Sequence, residues 1–139
     1  MRILLINHYA GSDTYGMEYR PFYLAREWVR LGHDVTIVSA SQSHLRHTQP
    51  SLGCLRGTEV TEGVRFLWLR TPRYRGNGIR RVVNILAFVA QVAFRYRRLA
   101  RQIRPDVVIS SSTYPFDNLP AYLIARRSRA SLVHELHDL

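Results

Sequence analysis

A change of hydrophobic period inside the first forty residues constrains this fold more than any other feature of the chain. Residues 2–7 are apolar after Arg2 (Ile3, Leu4, Leu5, Ile6), as in a strand buried on both faces of a parallel sheet. From Pro21 the period becomes helical. Pro21, Leu24, Ala25, Trp28 and Leu31 form one stripe, with Arg26, Glu27 and Arg30 on the wet face. Pro21 suits a first helical turn and Gly32 a left-handed stop, so a helix over residues 20–31 is expected. Residues 35–38 (VTIV) then read as a second buried strand, rich in β-branched side chains. Together these segments make a complete βαβ unit.

The loop at residues 8–19 joins the carboxyl end of the first strand to the amino end of the helix, where open α/β sheets bind ligands. Backbone N–H groups and the helix dipole suit it to a phosphate or carboxylate, and Gly11 and Gly16 allow close approach. An ordinary surface loop with two flexible residues is the competing reading. Gly11 and Gly16 do not supply the G-x-G-x-x-G of a dinucleotide site, which argues against a nicotinamide cofactor.

At 139 residues the chain is one domain with room for a real core, and 46% hydrophobic residues exclude disorder. Met1 leads straight into the first strand without a leader, and the lone Cys54 cannot form an internal disulfide. The single cysteine points to a reducing, cytoplasmic setting. All twenty basic residues are Arg; against ten acids they give a net charge of +10, which attracts anionic partners.

Residues 39–57 are polar and irregular, and read as a mobile excursion. His44, His47 and Cys54 lack a fourth ligand and a zinc spacing, so no metal site is expected. Residues 58–60 and 64–69 flank Glu62-Gly63 as a hairpin or edge strand, with Val64, Phe66 and Trp68 on one side. A basic loop (residues 70–78) precedes the longest helical pattern, residues 79–103. Its core stripe reads as Ile79, Val82, Leu86, Val89, Ala93, Tyr96, Ala100 and Ile103, leaving Ile85, Phe88 and Val92 for an exposed apolar surface. That surface is too short to span a membrane. It is bordered by Arg80 and Arg81 on one side and by Arg95, Arg97, Arg98 and Arg101 on the other, the pattern of a helix lying on an anionic membrane. A crossover helix packed on two sides is the alternative. No helix-turn-helix, zinc finger or RRM-like pattern points to nucleic acid.

The last third repeats the rhythm. Residues 106–110 form a strand, residues 111–116 (SSTYPF) a hydroxyl-rich loop, residues 117–127 a helix with Asp117 as N-cap, and residues 131–136 another strand. Right-handed crossovers place both loops and the tail on the same sheet edge. In HELH the histidines are three apart at a strand end rather than four apart on a helix. This excludes zincin chemistry and leaves His134 as a packed side chain.

The segments NHYAGSDTYGMEYRPFYLAREWVRLGHDVTIV, RPDVVISSSTYPF and LVHELHDL together resemble the amino-terminal half of a GT-B glycosyltransferase of retaining family 4. The similarity is greatest to the bacterial transferases that build O-antigen and capsule repeat units. The resemblance spans essentially the whole chain. It implies one Rossmann-like, acceptor-binding half (residues 1–139) of a two-domain enzyme. The carboxyl half, with its donor-site carboxylates and phosphate ligands, is absent from this chain, so the chain alone is expected to be inactive.

Carried over by position, Gly16 would approach the donor diphosphate, and a substitution there would act on turnover rather than on folding. Tyr15, Met17, Glu18 and Arg20 would shape that loop and the acceptor side. His137 and Asp138 would line the reaction centre, with Ser111, Ser112 and Thr113 facing the same cleft. No metal or other cofactor is implied. The expected function is acceptor binding in the transfer of sugar from a nucleotide-sugar to a lipid-linked precursor of surface polysaccharide, peripherally at the inner face of the cell membrane. The alternative is a non-catalytic membrane- or partner-binding subunit that completes a site in another chain.

Overall fold

The computed structural model describes residues 1–51 and 58–137. Its elements run β1 (Arg2–Ile6), α1 (Arg20–Arg30), β2 (Asp34–Ala40), β3 (Glu59–Thr61), β4 (Val64–Leu69), α2 (Ile79–Phe94), α3 (Tyr96–Ile103), β5 (Val107–Ser110), α4 (Asn118–Ser128) and β6 (Ser131–His134). One six-stranded sheet has the order β3-β4-β2-β1-β5-β6. All pairings are parallel except the β3–β4 hairpin. This is the Rossmann-like α/β half domain that the first forty residues predict, and its order reverses between β1 and β5, the point where such sheets hold ligands.

Strand alternation divides the core into two layers. Ile3 and Leu5 of β1 face α1 and pack with Phe22, Ala25, Val35, Ile37, Val64, Phe66 and Trp68. Leu4 and Ile6 face the other side and pack with Phe88, Val92, Leu99, Ala121 and Ile124 from α2, α3 and α4. Neither face of β1 meets water, which explains its uninterrupted apolar run. Val64, Phe66 and Trp68 do share one face.

Several expectations are corrected. In α1 the buried residues are Pro21, Phe22 and Ala25, while Leu31 is 72% exposed; the stripe is rotated toward Phe22, which packs against Phe66. The pattern over residues 79–103 is two helices, because Arg95 leaves helical geometry at φ −96°, ψ 4°. In α2 the inward face is the opposite of the one expected, while Val89 and, in α3, Tyr96, Ala100 and Ile103 of the expected stripe do pack on the core. Asn84, Phe88 and Val92 are fully buried, whereas Ile79, Val82 and Leu86 are exposed. The side chain of Asp117 does not cap α4; it is buried and accepts the Ser112 N–H. His134 is exposed rather than packed, its Nδ1 2.9 Å from Ser110 Oγ. The segment after β2 folds back over the first loop, with Ser41, Ser43 and Arg46 buried and Arg46 bridged to Gly16.

Candidate functional site

Sheet register assembles the site. Ile6, Ser110 and His134 are paired across β1, β5 and β6. The ladder continues one residue further, with Ser111 N–H donating to the Ile6 carbonyl and Glu135 N–H to the Ser110 carbonyl. Asn7, Ser111 and Glu135 therefore form the next row, across the point where the strand order reverses. Asn7 ties that point together: its Nδ2 donates to the Ser111 carbonyl at 2.5 Å and its Oδ1 accepts the Tyr9 N–H at 2.9 Å.

Glu135 is the hub of the cluster. Arg20, at the start of α1, donates from Nε and Nη2 to Oε1 at 2.9 and 2.6 Å, and Ser111 Oγ donates to Oε2 at 2.6 Å. Partial burial alone would raise its carboxyl. The hydrogen bonds from Ser111 and Arg20, with the charge of Arg20, outweigh that and hold it below the ordinary glutamate range. His137 Nε2 lies 3.0 Å from Ser111 Oγ and 3.6 Å from Glu135 Oε2. Ser111 has one proton and gives it to an ionised carboxylate, so His137 must donate from Nε2, which leaves Nδ1 as the lone-pair nitrogen of the neutral ring. The cluster thus couples a fixed anion, a hydroxyl and an oriented imidazole.

Three of the expected site residues, Arg20, Ser111 and His137, converge on Glu135. Others sit elsewhere. Ser112 is buried, its Oγ accepting the His8 N–H and its N–H donating to Asp117. Thr113 and Met17 are exposed. Glu18 exchanges backbone hydrogen bonds with Tyr9 and Gly11. Tyr15 points into the α1-side core, stacked edge-on to Trp68 with its hydroxyl donating to Glu59. Gly16 N–H is spent on the Ser12 carbonyl at 2.8 Å, and a Cβ there would meet His47 Nδ1 at 2.4 Å with φ at +98°. Gly16 is thus part of the fold of the loop, contrary to the expectation that a substitution there would spare folding. Asp138 and Cys54 lie outside the described residues. Among the described residues no group of three His, Cys, Asp or Glu side chains is placed to hold a metal ion.

Of the helix arginines, Arg80, Arg95, Arg97, Arg98 and Arg101 are exposed. Arg95 is held by Gln91, and Arg97 by Tyr96. Arg81 is engaged with the site wall, its guanidinium donating to Tyr9 Oη at 3.0 and 3.2 Å and to Asn77 Oδ1 at 2.7 Å.

Sequence reading missed Glu135, Asn7 and His8. The signal for Glu135 was the period of two: in an extended tail Glu135 and His137 share a face, while His134 and Leu136 take the other. Asn7 was legible only as the end of an apolar run, and His8 only as the first residue of the loop. Fully buried, His8 has its Nε2 2.6 Å from Asn84 Oδ1, and Asn84 Nδ2 donates to the Pro72 carbonyl.

A mostly parallel sheet flanked by helices, with a charged, hydroxyl-lined row at its switch point, defines a Rossmann-like α/β domain. The chain belongs to the glycosyl transferase 4-like domain family, whose profile matches residues 15–139, and that membership supports a role in glycosyl transfer. Two crystal structures of the C-terminal domain of a Pyrococcus furiosus hydrogenase are similar, with TM-scores of 0.63 and 0.64 at 15% and 17% identity, over 96% of this chain and 89% of theirs. At that identity the likeness concerns the fold alone. No curated protein matches the chain significantly.

Proposed function

We propose that this chain is the acceptor-side half of a retaining glycosyltransferase that moves sugar from a nucleotide-sugar onto a lipid-linked precursor of surface polysaccharide. The observation that carries the reading is the Arg20–Glu135–Ser111–His137 cluster at the switch point of a glycosyl transferase 4-like domain. His137, with Nε2–H fixed by Ser111, presents Nδ1 as acceptor for a sugar hydroxyl, and Glu135 stabilises positive charge that develops on the ring. A second Rossmann-like half, outside these 139 residues, holds the nucleotide-sugar.

Membrane contact belongs to the same reading, on a different face from the one the sequence suggested. Ile79, Val82, Val83, Leu86 and Phe94 are all exposed, Phe94 at 88%, and the exposed Arg97, Arg98 and Arg101 follow on α3. No helix among the described residues is long and apolar enough to cross a membrane, so this stripe would lie on the bilayer, with Arg80 near its amino end.

The test is turnover of the complete protein with a panel of nucleotide-sugars and polyprenyl diphosphate acceptors. His137→Ala should cost about a hundredfold in rate while the melting temperature stays within a degree or two of wild type. Normal turnover, or a rate loss that merely tracks unfolding, removes the cluster from the reaction. The 139-residue chain alone should transfer no sugar.

A further inference from the structure

A second charged feature opens on the same edge of the sheet, away from the Glu135 cluster. The segment after β2, the loop after β4 and the first turn of α2 enclose an open groove of 1110 Å3 lined by Gln49, Arg70, Arg73, Tyr74, Arg75 and Arg80, among others. Its charged lining is all of one sign. Among the described residues no carboxylate lies within 4 Å of these four guanidinium groups, whereas Arg2, Arg20, Arg26, Arg30 and Arg65 each have one.

Two further features raise the positive potential there. The α2 amino terminus has no side-chain cap and no acid in its first turn, yet that turn carries Arg80 and Arg81 against the positive end of the dipole. Next to the groove residue Gln49, Arg46 is 5% exposed and pairs with no carboxylate among the described residues; its guanidinium donates to neutral oxygens, including the Ala40 carbonyl at 2.6 Å and Gln49 Oε1 at 3.4 Å, and lies over the Trp68 ring. Its Nε is buried without a partner among the described residues. Unpaired like charges around a concave surface are unfavourable in the empty protein, and a bound polyanion relieves them.

We propose that this groove binds a diphosphate ester. It lies at the carboxyl ends of β2 and β4, two and three strand steps from Ser111 on β5, roughly 10–14 Å at about 4.8 Å per step. That separation is comparable to a sugar-diphosphate headgroup whose reacting hydroxyl sits at His137. The exposed apolar stripe of α2 begins beside it at Ile79, Val82 and Val83, where a prenyl chain attached to the diphosphate would leave the groove. The diphosphate chemistry stands on the arginines alone; its assignment to a lipid-linked acceptor rests on the proposed function.

The experiment is calorimetric titration of the 139-residue chain with inorganic pyrophosphate and, separately, with farnesyl diphosphate. Saturable binding should weaken at least about tenfold in Arg73→Gln/Arg75→Gln, whose side chains are exposed. The control Arg126→Gln/Arg127→Gln, with the same charge change on α4, should stay within about twofold. Farnesyl diphosphate binding tighter than pyrophosphate identifies the lipid as the source, and equal affinities identify a soluble diphosphate; the groove stands in both cases. It is overturned if pyrophosphate does not saturate, if both double variants weaken equally, or if monophosphate binds as well as diphosphate. The titration requires no sugar transfer, so its failure leaves the glycosyl-transfer reading intact. A complete protein that transfers no sugar leaves the groove intact.

Discussion

The two glycines of the first loop show how single positions fix the geometry of the site. A Cβ on Gly11 would fall 1.9 Å from the Gly16 carbonyl oxygen and 2.9 Å from that of Met17. Those contacts are backbone and cannot swing aside. A Cβ on Gly16 would meet the end of the His47 side chain, which can move, and the His47 backbone N at 3.2 Å, and the φ of +98° is strained for any L-residue. Gly11→Ala should therefore cost about 1–3 kcal/mol by overpacking, and Gly16→Ala roughly 1–2 kcal/mol by strain. Thermal melts check this: each kcal/mol should lower the midpoint by roughly 4 °C in a domain of this size. Unchanged midpoints would mean that the loop rearranges at no cost. Gly16 variants are thus poor kinetic probes, and the cleaner residue-level probe is His137, whose ring packs at the edge of the fold.

Helix α2 shows which features of this chain can be read from its sequence. Apolar residues occupy both of its faces, so spacing alone gives two equivalent stripes, and the choice of core face came out inverted. The sequence did contain the discriminating residue: buried Asn84 pairs with His8 and Pro72. A lone polar side chain in an apolar helix reads as surface unless its tertiary partners are known. By contrast, β1, α1 and β2 were legible because β1 is a short uninterrupted apolar run, β2 a short β-branched one, and Pro21 and Gly32 mark the ends of the helix between them, although the buried stripe of α1 is rotated toward Phe22. The row Asn7–Ser111–Glu135 was not, since it depends on register between strands 104 and 24 residues apart in sequence. The two faces of α2 predict opposite phenotypes. Phe88→Ala, at a fully buried site beneath His8, should cost about 3–5 kcal/mol. Leu86→Gln, 53% exposed, should change stability by less than about 0.5 kcal/mol yet weaken sedimentation with phosphatidylglycerol vesicles. Replacing Arg97, Arg98 and Arg101 by Gln should also weaken it, in proportion to salt screening. Equal binding to neutral vesicles, or no effect of either change, would remove α2 from the membrane.

At the scale of the whole molecule, His8 fastens three segments: the end of β1 that carries it, α2 through Asn84, and the loop after β4 through the Pro72 carbonyl. Its Nε2–H donates to Asn84, and its buried Nδ1 has no partner among the described residues, so a second proton would be unsatisfied there. Burial is the main cause that pushes the imidazole down to about 3; the Asn84 hydrogen bond opposes it, and the charges of Arg46 and Arg81 add to it. The folded value lies below the unfolded one, so between about pH 3 and 6.5 the unfolded chain binds more protons and stability falls as the solution is acidified. His8 alone supplies up to about 3 kcal/mol of loss between pH 7 and pH 4. His44, lowered by burial and then by Arg81, acts with the same sign. Asp117, raised by burial, has the opposite sign, stabilising below the ordinary aspartate value and losing that contribution as pH rises. Glu135 and Asp106 are both held down, Asp106 to about 2 chiefly by Arg2, and lose stability only in the carboxylate range. The interval from pH 4.5 to 6.5 therefore belongs mainly to His8. Urea unfolding across that interval should show a positive slope of stability with pH, and His8→Gln, neutral throughout and still a donor to Asn84, should flatten most of it. A slope that survives in His8→Gln would mean that the clasp between β1 and α2 does not govern acid stability.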